Sequence, residues 1–305
     1  MNKFKEPVGL FLCGGGALGS WQSGALSKLV ELGMRFNAVA GFSIGALNGA
    51  AYCYNKTAEL KNIWQKLKPD RILSFSPGYH NIPLDLYQHH KPDFLSRVGF
   101  LLQNNLARFT LFSNAPVYDV LNGWLAKAGS DFSRNINFYV ISHAVEKKLP
   151  YIIKFDGKTG GQNLSFVDAL VASCSIPLIF PPVEVTDRGL TYHLVDGGVI
   201  GIATINLSIF EGCRTILIIS NSRDSDLVFP SGGPFGHFES KARRMLAMHT
   251  QKIYESRVLV RSEPQVHLIK PPEDLGLKVL EFDGVKCLRA FSLGEEEAAR
   301  WFNSL

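Results

Sequence analysis

The sequence has no long hydrophobic run, no paired cysteines and no block of like charge, and each absence removes a class of function. After Met1-Asn2-Lys3-Phe4-Lys5-Glu6-Pro7, the apolar stretch reaches only from Val8 to Cys13 before a run of glycines begins. It is too short for a leader peptide or a membrane-crossing helix, so a cytoplasmic setting is the expectation. Cys13, Cys53, Cys174, Cys213 and Cys287 are odd in number and scattered, with no Cys-x-x-Cys and no histidine spacing suited to zinc. They read as reduced, buried small hydrophobes, and no zinc site is expected. The net charge of +5 suits an anionic membrane surface or an acidic substrate. Without basic clusters or stacking motifs, nucleic acid is not an expected partner. No repeat or flexible linker divides the 305 residues.

What the sequence does have is clustered glycine. Gly41-Phe42-Ser43-Ile44-Gly45 follows the apolar run Phe36 to Ala40 and opens the helix-like run Ala46 to Tyr54. A strand, a sharp turn carrying serine and a helix make a nucleophile elbow, and such a turn needs residues without bulk two before and two after the serine. Gly41 and Gly45 meet that demand. The pentapeptide alone fits equally well a plain strand-to-helix turn with Ser43 as helix N-cap.

A second cluster, Cys13-Gly14-Gly15-Gly16-Ala17-Leu18-Gly19-Ser20, lies between the buried-strand pattern Val8 to Leu12 and a helical stripe of Ala25, Leu26, Leu29 and Leu32. A glycine loop between strand and helix offers backbone N–H groups to an anion. Gly14-x-Gly16-x-x-Gly19 matches a dinucleotide fingerprint, but the next strand ends in Val39-Ala40-Gly41-Phe42 without the acid that would hold a ribose. No Gly-Lys-Ser/Thr follows for a triphosphate. A transient oxyanion beside a nucleophilic serine is the remaining candidate.

Further along, a helix ended by Pro69 is expected from Ala58 to Asp70, then an irregular stretch with His80, His89 and His90, an apolar helix from Phe94 to Leu111 and another from Pro116 to Ala128. Asn137 to Ser142, Tyr151 to Phe155 and Thr215 to Ile219 read as strands, and Ser165 as the cap of a helix from Phe166 to Ser173. Ser231-Gly232-Gly233-Pro234 reads as a surface loop. Asp196-Gly197-Gly198, after His193-Leu194-Val195, is a strand-end carboxylate on a turn that permits close approach to another loop, or simply an Asp-Gly turn. None of the eight histidines is marked as a base by its surroundings.

The order and spacing of Gly14-Gly15-Gly16 with Gly19, the Gly41 to Gly45 elbow and Asp196-Gly197-Gly198 resemble the patatin-like lipid acyl hydrolases. Ala172-Ser173-Cys174-Ser175-Ile176-Pro177 with Phe180-Pro181-Pro182 is similar to a further signature of that family. The resemblance covers nearly the whole chain, with a motif core over 8–220 and a weaker match over 221–305, and one catalytic domain over 1–305 is expected. It implies an α/β fold, a three-layer α/β/α sandwich around a mostly parallel sheet. It also implies a Ser-Asp dyad: Ser43 as nucleophile, Asp196 as base, and the amides of Gly14, Gly15 and Gly16 as oxyanion hole, with no cofactor. Cys13 and Leu18 stand where a plant-like form of the loop has Asp and Arg.

The expected activity is hydrolysis of acyl esters of lipids or phospholipids, with transient membrane-surface contact through the stretch Phe94 to Phe112. Two alternatives remain at this level. One is an esterase or thioesterase with a Ser-Asp-His triad, for which His237, His249 and His267 follow Asp196 in the right order. The other is a catalytically silent lipid- or nucleotide-binding protein.

Overall fold

A computed structural model describes residues 4–79, 109–128, 132–133, 135–156, 164–198, 205–227 and 234–305. The strands are β1 (Val8–Leu12), β2 (Ala38–Phe42), β3 (Ser74–Tyr79), β4 (Phe109–Ser113), β5 (Asn137–Ala144), β6 (Leu149–Phe155), β7 (Val183–Asp187), β8 (Leu190–Asp196), β9 (Thr215–Ile219) and β10 (Gln265–Ile269). The α-helices are α1 (Gly19–Glu31), α2 (Ile44–Cys53), α3 (Leu60–Lys66), α4 (Ala115–Ala128), α5 (Phe166–Cys174), α6 (Pro234–Glu255) and α7 (Gly284–Asn303). Among the described residues the main sheet has the order β10-β9-β1-β2-β5-β8-β7, with β6 also on β5, while β3 and β4 form a separate hairpin.

β1, β2 and β9 are buried at every residue, as strands covered on both faces must be. Their alternation splits the core in two. Leu10, Leu12, Val39, Leu217 and Ile219 point into one cluster with α1, α2 and α7. Phe11, Ala40, Phe42, Ile216 and Ile218 point into the other, with Phe210 and Ile253 of α6. This is the expected three-layer α/β/α arrangement. The β1–β2, β1–β9, β9–β10 and β2–β5 pairings are parallel, and β5–β6, β5–β8 and β7–β8 antiparallel.

Several elements differ from expectation. The helix expected over Ala58 to Asp70 is three pieces: a 3-10 turn Thr57–Glu59, α3 and a second turn Pro69–Arg71. Pro69 is the reason, because the residue before a proline is driven extended, and Lys68 sits at φ −123°, ψ 149°. Of the helix expected from Phe94 to Leu111, residues 94–108 lie outside those described, and Phe109 to Leu111 belong to β4 instead. Leu111 and Phe112 donate to the carbonyls of Leu178 and Ile179, so strand pairing claims them. Of Ser231-Gly232-Gly233-Pro234, only Pro234 is described, and it opens α6. His80, His89 and His90 lie outside the described residues. All five cysteines are free, and Cys174 alone among them is partly exposed.

Candidate active site

The sheet itself brings Ser43 and Asp196 together. β6 pairs with β5 from Phe138 to Ala144 and so occupies one edge of that strand. β2 and β8 must therefore share the other edge. β2 runs up it until Phe42 stands opposite Ile141, and β8 runs down it until Asp196 stands opposite Ser142. The two strands meet end to end, and the residues at the meeting point are Ser43 and Asp196.

Ser43 holds φ 54° and ψ −136°, a conformation that a side chain makes costly, and its side chain caps no helical N–H although it precedes α2. The plain N-cap alternative therefore fails, and the elbow is present. Gly41 and Gly45 face each other across the turn. Ser173, at the end of α5, pins the turn. Its Oγ accepts from Ser43 N at 2.9 Å and donates to Ile141 O at 2.6 Å, and its carbonyl accepts from the same Ser43 N at 3.0 Å.

Asp196 is 2 % exposed and Ser43 6 %. The carboxylate accepts from Gly198 N at 2.7 Å, and the Ser43 side chain lies close enough to favour its charged form. Burial nevertheless outweighs both influences and pushes its pKa up to about 6. Asp196 N donates to Ser175 O at 2.9 Å, so α5 and the residues after it hold both members of the pair.

Gly14, Gly15 and Gly16 lie beside this pair and line the same cavity. Among the described residues, hydrogen bonds take up the N–H groups of Cys13 and Ala17 but not those of the three glycines between them. The loop is held by its carbonyls. Asn221 Nδ2 donates to Cys13 O and Gly14 O, both at 3.1 Å, and Gln22 Nε2 donates to Cys13 O at 3.0 Å. Gly16 has φ 55°, and a Cβ there would come within 2.1 Å of Val279 O, which accepts from Ala17 N at 2.8 Å. Only glycine fits between that carbonyl and the loop.

Val279 is clamped in turn. Both Glu239 carboxylate oxygens accept from Val279 N at 3.1 Å, and Arg243 bonds Glu239 at 2.7 Å and the carbonyl of Leu277. Gly14 and Gly198 both rest on the Phe42 ring, where a Cβ on either would approach Cε2 to 2.5 Å. Gly19 abuts Ile44, and Gly197 the carbonyl of Ile141.

The histidines are placed elsewhere. His193 is three residues from Asp196 on one strand and so points to the opposite face, where Nδ1 meets Glu146 at 2.6 Å and Nε2 meets Glu184 at 3.4 Å. His249 stands edge-on to Phe42 at 6.2 Å between ring centres, and burial, helped by Lys252, lowers its pKa to about 4. His267 packs on Phe4 and Trp301. The His237 side chain lies outside those described. The Cys13 thiol, next to the glycines, is pushed up to about 12 by burial and is no nucleophile at neutral pH. Among the described residues no group of His, Cys, Asp or Glu is arranged to hold a metal ion.

Two cavities open on Ser43. One, of about 280 Å³, is lined by the glycine loop, Phe42, Asp196, Ile176 to Ile179 and one face of α6. The other, of about 600 Å³, runs between α2, α3 and α4 past Leu47, Trp64, Leu121 and Trp124. Gly16, Ser43, Ile176 and Leu280 border both.

Residues 10–205 match the family model described as patatin-like phospholipase. The chain belongs to this family. Among its relatives, the uncharacterized protein YqhO of Bacillus subtilis is 27% identical over 192 residues, 61% of this chain and 62% of that one. Triacylglycerol lipase 5 of Saccharomyces cerevisiae is 21% identical over 205 residues, 67% of this chain and 26% of the yeast protein. The chain thus spans less than two thirds of either curated relative. Among solved structures, VipD from Legionella pneumophila aligns with a TM-score of 0.49 at 15% identity, covering 98% of this chain and 67% of VipD. ExoU in complex with SpcU, from Pseudomonas aeruginosa, aligns at a TM-score of 0.34 and 17% identity over 80% of this chain and 52% of that one.

The match places Ser43, Asp196 and the glycine loop within the patatin-like segment. Asn221, Lys241, Glu239, Arg243 and Val279 lie beyond it and carry no motif. Asn221 had one signal: it follows the end of a buried parallel strand, where ligand-binding loops of α/β sheets gather.

Proposed function

We propose that the chain is a serine hydrolase that cleaves acyl esters of lipids and phospholipids through a Ser43–Asp196 dyad. The meeting of Ser43 with the buried Asp196 carboxylate, where β2 and β8 end against each other on β5, carries this reading. Asp196 takes the hydroxyl proton as Ser43 Oγ attacks the ester carbonyl, and the N–H groups of Gly14, Gly15 and Gly16 receive the developing oxyanion. The tetrahedral intermediate collapses, the alcohol leaves with the proton from Asp196, and an acyl-Ser43 remains. Water then gives its proton to Asp196 as it attacks the acyl group, and Ser43 Oγ leaves with the proton that Asp196 returns, which frees the fatty acid and restores the dyad. A carboxylate with a pKa near 6 suits both directions of transfer near neutral pH.

The 600 Å³ cavity, lined mainly by apolar side chains, takes the acyl chain, and the 280 Å³ cavity the leaving group. The same proposal takes 1–305 as one catalytic domain, because β9 and β10 extend the sheet that carries Ser43 and Val279 supports the glycine loop. The lipid is met at a membrane surface. No helix among the described residues is long and apolar enough to cross one.

Hydrolysis of p-nitrophenyl butyrate and of phospholipid vesicles tests this reading. Ser43→Ala and Asp196→Asn should each lose at least about a thousandfold in kcat, while His193→Ala, His249→Ala and His267→Ala continue to turn over. A folded histidine variant without turnover, or an active Ser43→Ala, overturns the dyad.

A further inference from the structure

Among the described residues that line the 280 Å³ cavity, the side chains with polar atoms are Ser43, Asp196 and Lys241. The first two are the proposed dyad. Lys241 is not explained by it. It lies on α6 together with Ala242, Met245 and Leu246, which at this spacing form the helix face turned to the cavity. The described ion pairs engage its neighbour Arg243, with Glu239 and Asp274, but not Lys241, which is exposed at the cavity's edge. The glycine loop supplies no other cation, since Leu18 is fully buried. The larger cavity is lined by two carboxylates, Glu59 and Asp119, and one cation, Lys127, whereas the smaller has Asp196 beside Ser43 and Lys241 at its edge. Among the described residues no ion pair neutralises Lys241, so the smaller cavity has a cation at the rim of an apolar wall. An anionic group held there would pair with that ammonium, which a neutral occupant cannot do.

We infer that Lys241 is a specificity-determining residue that binds the phosphate of a glycerophospholipid on the leaving-group side of the scissile ester. The inference rests on the Ser43 hydrolase reading for its orientation. It makes the preferred substrate a phosphate-bearing lipid over a neutral glyceride. Lysine acts there as a point charge, so arginine can replace it in charge though not in shape.

The test uses monomeric short-chain lipids, so that no charged vesicle surface contributes. The ratio of kcat/KM for dihexanoylphosphatidylcholine to that for dihexanoylglycerol is measured in the wild type, Lys241→Ala, Lys241→Arg and Lys241→Glu. The ratio should fall about tenfold in Lys241→Ala, fall further in Lys241→Glu and recover in Lys241→Arg, with the change carried by KM. An unchanged ratio overturns the inference, even if both substrates slow together. A second arm measures calorimetric binding of the same phospholipid to Ser43→Ala, with and without Lys241→Ala, so that it is decided even if the wild type cleaves no ester and the hydrolase reading fails. About tenfold weaker binding without Lys241 supports the inference. Equal binding, or no binding to either protein, overturns it. Inorganic phosphate that binds as tightly as the phospholipid through Lys241 would mark a free-anion site and overturn it too.

Discussion

The glycine loop is supported from two sides that are built differently. On the elbow side the supports are mostly backbone: β2 beside it, the turn at Ser43 and the carbonyls that Asn221 and Gln22 gather in. On the far side the support is a chain of charged side chains, with Arg223 on Asp226 and Asp274, Arg243 on Glu239, and Glu239 on Val279 N. The first kind leaves little freedom, because the groups it fixes sit at the buried ends of β1, β2 and β9. The second ties α6 to the Val279 segment through single side chains and can be loosened one contact at a time.

Substitutions should expose that contrast. The largest effect belongs to Gly16→Ala, because its Cβ has nowhere to go except into Val279 O. Displacing the loop removes N–H groups from the oxyanion, and kcat should fall about a hundredfold or more. Steady-state kinetics beside a thermal melt would show it, and wild-type turnover would refute the place given to the loop. Glu239→Ala should act more mildly, lowering kcat about tenfold by letting the Val279 segment shift. Glu239→Gln keeps one acceptor oxygen for Val279 N and should recover most of the loss. If the two variants behave alike, the clamp does not position the loop.

The smallest effect is one of pH, and it has two signs. As pH falls through about 6, Asp196 gains a proton and kcat should decline with it. Stability moves the other way. The folded carboxyl keeps its proton up to about 6, whereas its ordinary value is 3.8, so stability is lost as pH rises across that window and stays lost above it. Asp196→Asn removes the charge, and at pH 8 the inactive variant should melt higher than the wild type. A lower melting temperature would mean that the Gly198 hydrogen bond and the nearby Ser43 hydroxyl outweigh burial.

The sequence shows the site where chemistry forces special backbone. A serine at φ 54° and a loop pressed against a carbonyl each need glycine nearby, and glycine at fixed offsets can be read without a structure. The cap of α5 was legible for the same reason, with Ser165 Oγ accepting from Asp168 N at 3.1 Å. The clamp was not. Val279 meets Glu239 and Ala17 only through folding, and no local pattern distinguishes that glutamate from a solvated one. α7 escapes a reading based on large apolar residues, because its buried stripe is Cys287, Ala290, Phe291, Gly294 and Ala298. Over 58–70 the stop at Pro69 was legible, whereas the division of the segment into a 3-10 turn and α3 was not, because one apolar spacing runs through both.

One ring gives the site a common gauge. Gly14 of the loop and Gly198 of the aspartate turn both rest on Phe42, the residue joined by a peptide bond to the nucleophile, and that ring is 1 % exposed. The proposed donor, base and nucleophile are thus spaced from a single rigid body, and their errors are shared. When the sheet breathes, the three travel together and the distances among them survive, although the aspartate lies more than 150 residues from the other two in the chain.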